Sequence, residues 1–158
     1  MDIIFFGTFE CKADAKGRVM LPVALRNQMS PVLKDGFFVK KSYYNDCLEL
    51  YPAKEWLSVM EELNQKSRFD EDHLDFIRIY NDGLRQVELD ATGRLLIPKS
   101  ITSLVGITKE VKIAPMGKYL EIWDLAKYND RVSATKEKKK TLAQKVMLQK
   151  KGDSDKKE

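Results

Sequence analysis

The sequence predicts an α+β fold built from two copies of one small unit. The segment DAKGRVMLP at residues 14–22 returns 76 residues later as DATGRLLIP at residues 90–98. Further along, CLELYPAKEW at residues 47–56 matches YLEIWDLAKY at residues 119–128, now 72 residues apart, which predicts one loop shorter by four residues in the second copy. One copy alone buries too little apolar surface to offset its chain entropy. We therefore expect the copies to interleave their strands around a pseudo-two-fold axis and to share one core.

Each copy is expected to open with a β-hairpin. The first strand covers residues 9–13 or 86–89, and the second covers residues 18–21 or 94–97. The turn between the strands contains Gly17 or Gly93, because glycine adopts a positive φ without a Cβ penalty.

Helices and further strands complete each copy. Pro22 and Pro98 end the second strand and suit the first turn of a short helix. The next strands are expected at residues 37–41 with 47–51 and at residues 110–114 with 119–123. A helix is expected after each last strand, and the spacing of Leu74, Ile77 and Tyr80 predicts another helix between the copies.

These elements divide the chain into a compact part and a tail. We expect one compact unit over residues 1–130, with pseudo-repeats at about 5–63 and 82–130 joined by a helical linker at 64–81. Residues 131–158 are expected to form a lysine-rich helix or tail that is partly disordered. From Lys127 onward the chain carries eleven basic and five acidic residues, whereas the whole protein has a net charge of +4. The body is therefore slightly acidic, and the tail either favours polyanions or acts as a solvated segment.

Composition argues against catalysis, metal binding and a membrane segment. His73 is the single histidine, and Cys11 and Cys47 are expected to be small buried hydrophobic residues rather than a disulfide. No Cys/His set of the structural-zinc type and no histidine-based catalytic dyad can be assembled. No stretch fits a membrane span or a secretion signal. We expect no enzyme activity, no cofactor and no metal, and a cytoplasmic location.

The duplicated motif resembles the MraZ family. The pattern is Asp-x-x-Gly-Arg followed by a strand and a proline, repeated with LELYP and LEIWD downstream, after an opening FFGTFE of the kind with which the family begins. The likeness covers about residues 3–130 and extends more distantly to single-copy swapped-hairpin DNA-binding domains of the AbrB and MazE type. It implies an internally duplicated, AbrB-like swapped-hairpin β-barrel with short flanking helices.

The resemblance also implies a function. Family members are bacterial transcriptional regulators, often repressors, that bind short direct repeats upstream of their own gene at the head of the division and cell-wall gene cluster. They form ring-shaped homo-oligomers. The implied partners are double-stranded DNA and further copies of the chain, with no membrane and no small-molecule substrate. The implied location is the cytoplasm, in association with the nucleoid.

The two turns hold the candidate DNA-binding residues. The resemblance places the functional aspartate and arginine at Asp14 and Arg18 and at Asp90 and Arg94. The same turns contain Lys16 and Gly17 in the first copy and Thr92 and Gly93 in the second. The aspartate can accept backbone N–H groups and pair with the arginine. If the guanidinium fork points outward, it is set to bind guanine O6 and N7, while a lysine in the turn suits a phosphate. The second turn has one cation fewer than the first.

Several alternatives stay open on the sequence alone. Each Asp–Arg pair can serve only to staple its own hairpin. The protein can also be an interaction scaffold or antitoxin-like module whose helix KKTLAQKVMLQKK binds a protein, or a nonspecific nucleic-acid binder driven by its tail. Arg26, Lys99 and Lys112 are further candidates for phosphate contacts. Aromatic residues such as Trp56 and Trp123 are expected in the core or a subunit interface rather than as base-stacking platforms.

Overall fold

Eight strands, six α-helices and two short 3-10 helices lie in the part of the chain that the computed structural model describes, residues 3–65 and 70–155. The strands are β1 (Phe9–Lys12), β2 (Val19–Met20), β3 (Phe37–Lys41), β4 (Leu48–Pro52), β5 (Arg85–Val87), β6 (Arg94–Leu95), β7 (Glu110–Pro115) and β8 (Leu120–Asp124). The helices are α1 (Val23–Met29), α2 (Ala53–Asn64), α3 (Glu71–Tyr80), α4 (Lys99–Thr102), α5 (Leu125–Lys136) and α6 (Lys139–Asp155). Predictions for residues 1–2, 66–69 and 156–158, in the N-terminus, the linker and the end of the tail, lie outside the described residues.

The strands of the two copies interleave, as the repeat predicts. The large antiparallel sheet has the order β1-β7-β8-β4-β3-β5, so β1 of the first copy pairs with β7 of the second, and β5 of the second pairs with β3 of the first. Strands β4 and β8 meet at the centre of the sheet. Strands β2 and β6 pair with each other in a separate two-stranded ribbon. The duplicated α+β architecture is therefore confirmed.

The opening hairpin of each copy is present but short. The backbone N–H of the aspartate in each turn binds the carbonyl oxygen of the arginine, and a single bridge then joins the two strands, Ala13 to Val19 or Leu89 to Leu95. The first strand takes its long-range partner from the other copy. The large sheet is open, with β1 and β5 at its edges. Strands β2 and β6 are two residues long each and pair with one another, so the described strands do not close into the expected barrel.

The four residues missing from the second copy are divided between two loops, not taken from one. Val39 pairs with Arg85 where Ile113 pairs with Phe9, which places two of the missing residues before β7. The turn between β3 and β4 spans residues 42–47, whereas the turn between β7 and β8 spans residues 116–119. The sequence match aligns the first and last segments of the two copies, but it does not show which loops within them differ in length.

One core holds the ribbon against the large sheet. Side chains alternate between the two faces of a strand, and the inward residues of both sheets are fully buried. Val19 and Leu95 of the ribbon are 0 % exposed, as are Leu48 and Ile122 of the large sheet, and all four belong to the same apolar cluster. The ribbon and the turns that precede β2 and β6 are thereby fixed by the shared core.

The opposite face of β3 and β4 buries charge. Lys40 is 0 % exposed, and its Nζ lies 3.1 Å from Glu49 Oε1 and 3.9 Å from the ring centre of Tyr80. Tyr51 donates its hydroxyl to the same Glu49 oxygen at 2.9 Å. A buried lysine is tolerated here because a carboxylate and an aromatic face replace its water shell. The aromatic residues expected in the interior, Tyr51, Trp56 and Trp123, are buried.

The chain divides into two compact units, Met1–Leu125 and Ala126–Glu158. The second unit contains α6, on which Leu142, Val146, Met147 and Leu148 are exposed. Cys11 and Cys47 are free thiols, and burial raises the pKa of Cys11 to about 12. None of the helices in the described ranges is long and apolar enough to cross a bilayer.

Candidate nucleic-acid interface

The first turn, loop 1 (residues 14–18), is organised around the Asp14 carboxylate. Asp14 Oδ1 accepts the backbone N–H groups of Lys16 at 2.9 Å and Arg18 at 3.0 Å. Asp14 Oδ2 accepts Nε of Arg18 at 2.6 Å. Gly17 closes the turn with φ +90° and donates its N–H to the Asp14 carbonyl. One side chain therefore fixes both the turn and the arginine.

The second turn, loop 2 (residues 90–94), repeats this geometry. Asp90 Oδ1 accepts the backbone N–H groups of Thr92 at 3.0 Å and Arg94 at 2.9 Å, and Oδ2 accepts Arg94 Nε at 2.8 Å. Gly93 has φ +89°. The difference lies at Thr92, whose hydroxyl donates to Asp90 Oδ1 at 2.8 Å, where loop 1 carries the exposed Lys16.

Each loop arginine is held along one edge of its guanidinium group. Each uses Nε to bind its aspartate, and among the described residues neither Nη1 nor Nη2 of Arg18 or Arg94 makes a hydrogen bond. The side chains are 32 % exposed for Arg18 and 33 % for Arg94. A guanidinium fixed in this way presents two N–H donors as a ready-made fork.

Both forks start from the outer face of the ribbon. Val19 pairs with Leu95 and both point into the core, so Met20 and its partner Arg94 share the outward face. Arg18 lies two residues before Met20 and falls on the same face. From this register, the Cα atoms of the two arginines are offset by about 7 Å along the ribbon. The structure thus brings the two predicted arginines together on one exposed surface.

Each loop rests on the other copy. A Cβ added to Gly17 would lie 2.7 Å from the carbonyl oxygen of Ile97 and 2.9 Å from the backbone nitrogen of Lys99, at the start of α4. A Cβ added to Gly93 would lie 2.6 Å from Nη1 of Arg26, on α1. The opposite copy therefore places the backbone of Lys99 against loop 1 and the guanidinium of Arg26 against loop 2.

The three further cations singled out from the sequence separate into two groups. Arg26 and Lys99 lie beside the loops, as the glycine contacts show. Lys112 instead lies within the large sheet, where its Nζ is 3.6 Å from Glu10 Oε1. Which helix lies against which loop depends on how the strands of the two copies pair. The order of residues within one copy does not predict these contacts.

Hydrogen bonds hold the pKa of both loop aspartates below the ordinary value of 3.8. For Asp90 the backbone N–H of Arg94 contributes most, and it outweighs the partial desolvation of the carboxyl group. For Asp14, desolvation raises the pKa, but the hydrogen bonds from Arg18 and Lys16 together overcome it. Both carboxylates therefore stay ionised at neutral pH and keep their arginines attached.

This shift gives the fold a pH dependence. Because the folded pKa lies below the unfolded one, each carboxylate stabilises the protein above about pH 4, and this stabilisation disappears as pH falls through the folded pKa. We expect the double substitution Asp14→Asn with Asp90→Asn to lower the thermal unfolding temperature at pH 7. The gap to the wild type should shrink as pH falls from about 4 to about 2.

Circular dichroism at a series of pH values measures this gap. Asp75→Asn serves as the control, since that carboxylate is 67 % exposed and lies outside the loops. A gap that stays constant over the whole pH range would show that the loop carboxylates do not stabilise the fold through their charge.

The described residues contain no group of three or more His, Cys, Asp or Glu side chains placed to hold a metal ion. The chemistry on the outer face of the ribbon is instead that of hydrogen-bond donors carrying positive charge. Such donors suit acceptor-rich, negatively charged partners.

The comparisons with known proteins agree with one another. The chain matches the family described as "MraZ protein, putative antitoxin-like" over residues 4–79 and 82–150, which extends beyond the range expected from the motifs. It is 43 % identical over 145 residues to "Transcriptional regulator MraZ" of Christiangramia forsetii, covering 92 % of this chain and 94 % of that protein. The protein of the same name from Flavobacterium psychrophilum is 42 % identical over 89 % of this chain and 90 % of its own length. That from Dehalococcoides mccartyi is 35 % identical over 85 % and 92 %.

Proposed function

Because the chain belongs to the MraZ family, we propose that it is a transcriptional regulator that binds double-stranded DNA at specific sequences through loops 1 and 2. Its relatives are named as transcriptional regulators, not as enzymes. The proposed targets are short direct repeats upstream of its own gene, in the division and cell-wall cluster, with repression as the expected outcome. The proposed location is the cytoplasm, at the nucleoid.

One observation carries the proposal. Asp14 and Asp90 bind only the Nε edge of Arg18 and Arg94 among the described residues, so the Nη edge of each guanidinium is left for a ligand. A pair that served purely as a hairpin staple would gain by a bidentate contact, in which Nη also reaches the carboxylate. In the observed arrangement the aspartate orients the guanidinium group, and within the described residues its two Nη groups bind no acceptor. Guanine O6 and N7 in the major groove are the acceptors that match such a fork.

The ribbon gives the forks a route to the bases. A two-stranded ribbon fits the major groove, which is about 12 Å wide. The offset of about 7 Å between Arg18 and Arg94 along the ribbon is comparable to two base-pair steps, so one subunit reaches neighbouring bases. Exposed Lys16 lies in loop 1 and exposed Lys99 lies beside it, and both suit phosphates at the groove edge.

One subunit alone makes few specific contacts. Each arginine–guanine pair discriminates by about 1–3 kcal/mol. We therefore include a ring-shaped homo-oligomer in the proposal, because evenly spaced repeats then engage several subunits and gain effective concentration. Rotational symmetry in such a ring suits direct repeats. We also retain the swapped-hairpin relation to AbrB-type domains, which the pairing of β1, β2 and β4 with the other copy supports.

The test is a mobility shift of the full chain on the DNA upstream of its own gene. We expect a preference of about 10³-fold or more over scrambled DNA of the same length at fixed salt. Equal affinity for both duplexes would contradict sequence-specific binding and would favour a nonspecific binder.

The basic helix is tested separately. Lys139, Lys140 and Lys145 are exposed on α6, and we expect their joint replacement by glutamine to weaken binding to repeat and scrambled DNA by the same factor. The reason is that lysines on a helix without base contacts add a sequence-independent electrostatic contribution. If the preference itself vanished in this variant, the tail rather than the loops would carry recognition.

A protein-interaction module is the second candidate. It is favoured by the exposed apolar side chains of α6, where Leu142 is 42 % and Val146 is 60 % exposed. If the protein is such a module, the double substitution Leu142→Ser with Val146→Ser should remove binding of the protein partner. The wild type should then show no preference for repeat DNA over scrambled DNA. The proposed regulator instead keeps its DNA preference in the same variant.

A further inference from the structure

Arg26 lies beside loop 2 although it belongs to the first copy. Its Nε donates to the carbonyl oxygen of Leu21 at 3.1 Å. Its guanidinium packs on Gly93, where an added Cβ would lie 2.6 Å from Nη1 and 2.7 Å from Cζ. Only glycine leaves room for this contact. Arg26 therefore rests directly on the second Asp-x-x-Gly-Arg turn.

Arg26 is attached in the same manner as the two loop arginines. Each of Arg18, Arg26 and Arg94 is held through Nε, the first and last by an aspartate and Arg26 by a backbone carbonyl. Within the described residues, Nη1 and Nη2 of Arg26 donate no hydrogen bond. Two parallel N–H donors at the far edge of a guanidinium match two oxygens of a phosphodiester.

The position of Arg26 favours a phosphate over a base. Its side chain reaches the loop from α1, rather than from the outer face of the ribbon that carries Arg18 and Arg94. The adjacent groove, about 400 Å³ in volume, is also lined by the acidic residues Glu88 and Asp90. Their carboxylates repel an anion placed inside the groove. The Nη groups of Arg26 are therefore expected to meet an anion at the rim of loop 2, beside Gly93, rather than inside the groove.

Arg26 also supplies the cation that loop 2 lacks. Loop 1 carries Lys16, whereas loop 2 has Thr92. The position equivalent to Arg26 in the second copy is Thr102, which is 2 % exposed and donates its hydroxyl to the carbonyl of Lys99. With Arg26 included, each loop has its own arginine and at least one further cation beside it.

We propose that Arg26 is a third DNA-contacting arginine, which binds a backbone phosphodiester beside loop 2. The proposal rests on the proposed function, because it places Arg26 on the same duplex that Arg18 and Arg94 bind. The first copy of the unit thereby completes the binding surface of the second.

The test compares Arg26→Gln and Arg26→Lys with the wild-type full chain. Fluorescence anisotropy follows binding to a repeat duplex and to a scrambled duplex between about 50 and 200 mM salt. We expect Arg26→Gln to lose about tenfold in affinity on both duplexes and to reduce the slope of log K against log salt by about 0.9. Arg26→Lys should keep the slope, because it keeps the charge.

Arg78→Gln is the matched control. It removes one arginine charge from α3, where the side chain is 66 % exposed, and it should leave affinity and slope unchanged. Thermal unfolding of each variant reports whether the fold is intact.

Three results would overturn the proposal for Arg26. The first is identical binding by Arg26→Gln and Arg78→Gln. The second is an equal loss in both Arg26 variants with an unchanged slope, which would mean that the bond to Leu21 only positions the loop. The third is a loss confined to the repeat duplex, which would make Arg26 a base contact. The proposed function fails separately, if the wild type does not distinguish the two duplexes.

Discussion

We expect the double substitution Arg18→Ala with Arg94→Ala to abolish the preference for repeat DNA over scrambled DNA. Each bidentate arginine–guanine contact discriminates by about 1–3 kcal/mol, so the loss of both lowers specific affinity by about 30-fold or more. In a ring the loss is multiplied, since every subunit on the duplex is affected. Competition mobility shifts at one stated salt concentration measure the ratio of the two affinities.

The matched control removes two arginines from elsewhere. Arg78 and Arg85 are exposed and lie outside the loops, so Arg78→Ala with Arg85→Ala gives the same net charge and should keep the preference. Arg18→Lys with Arg94→Lys keeps the charge but loses the fork, and it should lose most of the preference. If the alanine double variant retained full selectivity while its stability fell, the Asp–Arg pairs would be hairpin staples.

We expect Gly17→Ala to lower the free energy of unfolding by about 3 kcal/mol. The φ of +90° costs an alanine about 1–2 kcal/mol. The new Cβ would also lie 2.7 Å from the carbonyl oxygen of Ile97 and 2.9 Å from Cα of Lys99. Both neighbours are backbone atoms, so relief requires a shift of loop 1 against the start of α4, and overpacking of this kind costs about 1–3 kcal/mol.

Two other glycines separate these contributions. Gly117 has φ +83°, and a Cβ added there would have no neighbouring atom within 4 Å, so Gly117→Ala measures the conformational cost alone. Gly93→Ala meets the flexible side chain of Arg26 and should fall between the two. Denaturant unfolding at one protein concentration ranks the three variants. A Gly17→Ala variant as stable as Gly117→Ala would contradict the tight packing of loop 1 on the second copy.

Local elements could be predicted from local sequence. The strand at Phe37–Lys41 has the predicted bounds, and α3 begins after Asp70, whose side chain accepts the N–H of Asp72 as a helix cap. Pro22, Pro52 and Pro98 each stand immediately before a helix, as their fixed φ favours. These features depend on residues a few positions apart.

The long-range partners of strands and buried side chains could not be predicted from local sequence in the same way. The β1 strand pairs with β7, about a hundred residues away, and no local signal separates this pairing from a simple hairpin with β2. The burial of Lys40 shows the same limit, because its partner Tyr80 lies on α3, outside both copies of the unit.

The residues of the candidate site could be predicted from the sequence, but the residues that surround each loop could not. The motif identified Asp14, Arg18, Asp90 and Arg94, and the hydrogen bonds across each turn follow from the short reach of aspartate. The neighbours of each loop depend on the interleaved copies. The sequence names Arg26 among three candidates for phosphate contacts, but its contact with loop 2 is seen only once α1 is placed against that loop.

The most direct test of the account replaces guanines of the repeat DNA one at a time with 7-deazaguanine, which lacks the N7 acceptor. If the Nη forks of Arg18 and Arg94 bind guanine edges, the wild type should lose about 0.5–1.5 kcal/mol of binding free energy at specific positions in each repeat, because one of the two acceptors of a bidentate pair is removed. The Arg18→Ala, Arg94→Ala variant should lose nothing further there. Undiminished wild-type binding at every substituted guanine would contradict the central claim.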